Sequence, residues 1–158
     1  PIISFNYGAK NPDRCIKACK TMLFASGTYL LTFWLIVQIF PKLLMGIFTD
    51  EAALLDNFNL LRVYVGATGF FFIQMTVQQG LVSIGKAKAS LFIACLRKLI
   101  LLVPLIFILP NFFDDKVFAV FLAEPVSDTI SIISSAIIFL FVFGGEMKKL
   151  ENENAQKA

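Results

Sequence analysis

Residues 117–145 read VFAVFLAEPVSDTISIISSAIIFLFVFGG, and this stretch decides the fold. Apart from Glu124 and Asp128 it carries no charge. A run this long and this apolar is a membrane-spanning helix, because lipid offers no hydrogen bonds to an exposed backbone. Three further stretches are of the same kind, at residues 22–40, 63–85 and 99–113, and none of them holds a charged residue. The expected fold is therefore an all-α membrane protein with four transmembrane helices.

Composition agrees with that expectation. The chain has 158 residues, of which 58% are hydrophobic and only 16% charged, with 18 Phe. A soluble domain carries about 25% charged residues. The chain has no His, which excludes imidazole catalysis and His-ligated metal. Cys15 and Cys19 lie four apart on one face of a helix start, and two thiols alone do not complete a metal site. No Gly-x-Ser-x-Gly elbow, Walker loop or Cys-x-x-Cys occurs, so an enzyme is not expected. The chain opens on Pro1-Ile2-Ile3, with no initiator Met and the look of a preceding apolar segment's tail. A fragment of a longer protein is the expectation.

Charge gives the topology. Eleven of the fourteen basic residues fall on one side of the spans. Lys10, Arg14, Lys17 and Lys20 precede the first, Lys86, Lys88, Arg97 and Lys98 lie between the second and third, and Lys148, Lys149 and Lys157 follow the fourth. The opposite side has Lys42, Arg62 and Lys116, with the acids Asp50, Glu51, Asp56, Asp114 and Asp115. Lysine and arginine stay inside, so both ends are expected in the cytoplasm and the two Cys stay unpaired in a reducing compartment.

The uncharged part of the third span is short, about 22 Å at the helical rise, against a core of about 30 Å. Its helix is expected to start near Ala89, which puts Arg97 and Lys98 well inside and Pro104 in mid-span as a kink. The expected spans are 22–40, 63–85, 89–110 and 117–143. Pro41 and Pro110 close the first and third at the outer face, and Asp13 is expected to cap the first. Residues 146–158 are expected to form a charged, solvated cytoplasmic tail.

Glu124 and Asp128 are the sharpest chemical signal. They share a helix face, about 10 Å and about 16 Å in from Val117. Intramembrane acids are costly and face a cavity or a partner. Burial raises their affinity for a proton, which suits proton or cation exchange. Arg97 lies about 20 Å from the same edge on the neighbouring antiparallel helix, so Asp128 has a second reading as a structural ion pair with Arg97. Glu124 has no evident mate, which favours a cavity-lining role. Gln74 and Gln78 share a face of the second span and either line a polar cavity or hydrogen-bond between helices. Ala119, Ala123, Ser127, Ser131 and Ser135 recur every four residues and read as a packing stripe. Phe70, Phe71 and Phe72 read as lipid-facing, or as contacts for an aromatic ligand.

Several segments in register resemble the multidrug and toxic compound extrusion (MATE) family: residues 1–10 (PIISFNYGAK), 40–50 (FPKLLMGIFTD), 85–88 (GKAK), 96–104 (LRKLILLVP) and 124–128 (EPVSD). The resemblance spans roughly residues 1–145. It implies a twelve-helix, two-lobe transporter of which this chain supplies the last four helices, a partial C-terminal lobe whose partner is the missing N-terminal lobe. It also implies efflux of small cationic or aromatic substrates in antiport with protons or sodium. Glu124, Asp128, Gln74 and Gln78 are then the candidates for substrate or ion coupling. Some sodium-type members carry an acid in the helix matching the second span; residues 63–83 hold none. No cofactor beyond the coupling ion is implied, and no nucleic acid. The location implied is the cell membrane. Two alternatives are a lipid or lipid-linked sugar flippase of related architecture and a four-helix scaffold that transports nothing.

Overall fold

The computed structural model describes residues 1–49, 51 and 57–156. Asp50, Asp56 and Lys157, which entered the charge count, lie outside the described residues, as does Ala158 at the end of the tail. Among the described residues the chain is helical without strands, and four helices are long and apolar enough to cross a membrane: Pro12–Ile39, Phe58–Ser83, Ala87–Asn111 and Lys116–Ala155. These are spans 1 to 4 below.

A short helix, α1 (Ile2–Gly8), lies against the start of span 1. Span 1 is a single helix, α2 (Pro12–Ile39). Its cap is not Asp13. Asn11 Oδ1 accepts from the Arg14 amide at 3.3 Å, and Pro12 takes the first turn, where a missing N–H costs nothing. Asp13 sits two positions too late to cap and lies in the first turn instead. Pro41 ends span 1 as expected, by starting α3 (Pro41–Met45).

Span 2 is interrupted. It begins as α4 (Phe58–Tyr64), loosens through a turn into a 3-10 segment at Thr68–Phe70, and resumes as α5 (Phe71–Ser83). Trp34 accounts for the break. Its indole Nε1 donates to the Val65 carbonyl at 2.8 Å, a group that a regular helix would use internally. Gly69 makes room for the ring, since a Cβ there would meet Trp34 at 2.7 Å.

Gly85, at φ +77°, closes span 2 in the left-handed conformation that glycine adopts without penalty, and the Lys86 amide returns to the Leu81 carbonyl at 2.8 Å. Span 3 then runs as α6 (Ala87–Cys95), a π-helical segment at Leu96–Leu102, α7 (Val103–Ile108) and a 3-10 turn at Leu109–Asn111 that contains Pro110. The sequence predicts a kink at Pro104. The structure places a wide turn just before it, because proline removes the N–H that would close an ordinary turn onto Ile100. Span 4 is α8 (Lys116–Ala155), capped by Asp115 Oδ1, which accepts from the Val117 and Phe118 amides.

Register follows from contacts. Trp34 reaches Gly69, Gly27 faces Phe72 and Cys19 faces Gly80, so spans 1 and 2 are antiparallel. Gly66 approaches Pro125, and Gly80 approaches Phe139 across the same interface, so spans 2 and 4 run parallel. Alternating direction is what four consecutive crossings require. Apolar burial drives little association in lipid, so small residues carry the packing. Ala119, Ala123, Ser127, Ser131 and Ser135 are all buried, which makes the predicted stripe the inner face of span 4.

Residues 146–155 correct the expectation of a solvated, frayed tail. The helix continues to Ala155, and Met147 and Leu150 are buried in a cluster with Ile3, Cys15, Cys19, Ile84 and Phe143. Polar contacts fasten the same end. Tyr7 Oη donates to Glu146 at 2.9 Å, Lys86 Nζ pairs with Glu146 at 2.7 Å, and Lys10 Nζ pairs with Glu153 at 2.6 Å. At 40 residues this helix is about 60 Å long, twice the hydrocarbon core, and the surplus holds α1 and the Gly85 turn together. Cys15, Cys19 and Cys95 are free thiols, and the Cys15 Sγ contacts the Ile3 carbonyl at 3.6 Å.

Candidate functional site

Spans 3 and 4 bring four charged side chains together inside their apolar length. Arg97 Nε donates to Asp128 Oδ1 at 2.5 Å, and a terminal Arg97 nitrogen reaches Glu124 Oε1 at 3.4 Å. Lys98 Nζ donates to the same Glu124 oxygen at 2.8 Å. Two acids thus meet two bases, and the group is neutral overall.

The Arg97–Asp128 pair matches the depth count made from sequence. The Lys98–Glu124 pair corrects it, for Glu124 has a mate. Adjacent residues on an α-helix point about 100° apart and do not converge on one carboxylate. The π-helical segment that begins at Leu96 changes that, because each wide turn holds more residues and rotates less per residue. Ser127 supports the same place by donating from Oγ to the Arg97 carbonyl at 2.8 Å. Phe71 of span 2 covers the guanidinium, with Arg97 Cζ 4.2 Å from the ring centre. Of the three consecutive phenylalanines only Phe70 is exposed; Phe71 and Phe72 pack inward, against Arg97 and Gly27.

The two pairs differ in exposure. The Asp128 side chain is 2% exposed and Arg97 17%, whereas Lys98 is 52% exposed and Glu124 12%. Asp128 is locked within the protein. Glu124 is held by a long arm that lies on the outside of these four helices.

Gln74 is buried and Gln78 half-buried, on the shared face that the spacing predicts. No hydrogen bond among the described residues joins either amide to the carboxylates. Gln74 Oε1, Asp128 Oδ2 and Ser131 Oγ are buried without a partner among the described residues. A water-sized polar neighbour would satisfy such atoms. Behind Glu124 on the same helix, Pro125 and Thr129 face a cleft of about 340 Å³ between spans 2 and 4, with Gly66, Ala67 and Phe70 in its wall. That cleft was not evident from sequence, since it depends on the break at 65–67 lying opposite Pro125. Among the described residues no group of His, Cys, Asp and Glu is arranged to hold a metal ion.

Comparison with known families gives one match, to MatE, over residues 1–108. The match covers spans 1 and 2 and most of span 3, and ends before Glu124 and Asp128. No curated protein and no solved structure matches the chain. Its four apolar helices make it a membrane protein, and the family's members are transporters rather than enzymes. The chain belongs to the MatE family of membrane transporters.

Proposed function

We propose that this chain is part of a secondary active exporter, and that Glu124 is the carboxylate at which a cationic substrate and the coupling ion take turns. One observation carries the reading: Glu124 is buried, yet its close partner is the exposed Lys98. Displacing Lys98, which lies mid-span on the outside of these helices, swings its ammonium along a flexible stem into the water-filled pathway between the two lobes, so the exchange leaves no buried charge unpaired. Displacing Arg97 from Asp128 would strand two buried charges, and that pair is therefore assigned the structural role. A proton or sodium ion arriving at Glu124 competes with the bound cation, and this competition couples efflux to the ion gradient.

The cleft beside Pro125, with Phe70 in its wall, supports an aromatic or amphipathic substrate over a strongly polar one. The remaining partners in this reading are the bilayer and the N-terminal lobe of a two-lobe transporter, against which Lys98 would face. Parallel spans 2 and 4, with lysine and arginine gathered at one end of the helices, favour a multi-pass protein of the cell membrane with both ends of this segment in the cytoplasm.

Efflux of a fluorescent cation such as ethidium, from cells expressing the full transporter, tests the function. Wild type should clear dye faster than cells carrying an empty vector. Glu124→Gln should match the empty vector at unchanged protein abundance. Wild-type efflux by E124Q would remove Glu124 from the mechanism.

A further inference from the structure

The basic end of span 1 borders a second, larger cleft of about 710 Å³, between α1, span 1 and span 2. Arg14 and Lys17 line it, one helical turn apart and both exposed. Neither makes an ion pair among the described residues, although Lys10, Lys86, Arg97 and Lys98 all do. Below them the wall becomes apolar, with Ile2, Ala18, Met22 and Ala25, and Gln79 stands on the opposite side. From Arg14 to Ala25 the wall drops about 16 Å along the helix axis. Charge therefore sits at one end of the cleft, just ahead of the apolar part of span 1, and hydrocarbon lies below it. That is the profile of an acidic lipid, with the phosphate at the membrane surface and the acyl chains under it.

We propose that this cleft binds an anionic phospholipid of the inner leaflet, with its phosphate on Arg14 and Lys17 and one acyl chain along Ala18, Met22 and Ala25. Basic recesses between helices on the cytoplasmic side suit such headgroups, and the surface potential of that leaflet adds to the attraction. Zwitterionic lipid fills the same apolar wall but gains little from the two cations. Occupancy would fasten α1 to spans 1 and 2. The proposal is independent of Glu124 and stands or falls on different residues.

Binding of phosphatidylglycerol to the purified full transporter in detergent tests it, read by native mass spectrometry against phosphatidylcholine. Wild type should prefer phosphatidylglycerol. Each cation near the surface is worth about fivefold in affinity, so R14Q/K17Q should lose about thirtyfold. Ala18→Trp, which fills the cleft and keeps both charges, should lose bound lipid as well. K148Q/K149Q removes two exposed charges from the same end of the molecule but outside the cleft, and should keep wild-type preference. Equal binding of the two lipids, retention of preference by R14Q/K17Q, or equal loss in K148Q/K149Q would each overturn the proposal. Retention of preference by R14Q/K17Q is also the outcome expected if chain ahead of Pro1, rather than lipid, fills the cleft.

Discussion

Arg97 and Asp128, thirty-one residues apart in sequence, form a 2.5 Å ion pair that ties span 3 to span 4 while Phe71 of span 2 covers the guanidinium. Three of the four spans meet at this one side chain. A pair so enclosed is expensive to break and cheap to replace as a whole, because most of its worth lies in each charge sparing the other.

Asp128→Asn should therefore lower stability by about 3 kcal/mol and reduce membrane abundance. Replacing both partners, as R97L/D128L, should recover much of that loss. Thermal unfolding in detergent checks the order. A double variant less stable than both singles would show that Arg97 has work beyond Asp128.

Gly69→Ala should destabilise by about 1–3 kcal/mol, the range for an overfilled core. The added Cβ would lie 2.7 Å from the Trp34 ring, which is itself anchored on the Val65 carbonyl and cannot swing aside. Gly144→Ala meets nothing within 4 Å and should be neutral or stabilising by up to about 1 kcal/mol. Melting temperatures of the two variants side by side decide the matter.

Leu150→Ala should cost about 2–4 kcal/mol, as for other buried leucines, although it lies in a charged stretch past the apolar part of span 4. Limited proteolysis reads the same contact. Wild type should resist cleavage up to the end of the helix near Ala155, and L150A should be cut between 146 and 155.

Glu146 lies outside the apolar stretch, and Lys86 first and Tyr7 second hold its carboxyl below the usual 4.5. A depressed folded-state value means a stabilising contribution that is complete above pH 4.5 and lost as pH falls through the lowered value. Stability should fall with acid over that window in wild type and fall less in Glu146→Gln. Identical acid profiles for the two proteins would show that the Lys86–Glu146–Tyr7 contacts contribute nothing.

The spans were legible because lipid tolerates only long apolar helices, and residues 117–145 admit no other reading. Arg97–Asp128 was legible for a related reason: depth along a straight helix can be counted, and buried charge needs a mate. Lys98–Glu124 was not, because it depends on the wide turn ahead of Pro104, and helical periodicity assigns neighbouring residues to different faces. The tail was misread for want of a visible partner. Met147 and Leu150 are two apolar residues among charges, and Ile3, which they cover, lies more than 140 residues away in sequence. The break in span 2 was hidden in the same way, since it exists to meet Trp34 on another helix.

Exchange at Glu124 is tested most directly by adding a cationic substrate to the purified full transporter in weakly buffered solution and recording the ion released, with a pH indicator and a sodium-sensitive dye. Wild type should release one of the two ions as substrate binds, and Glu124→Gln should release neither. Release by E124Q equal to wild type would contradict the account.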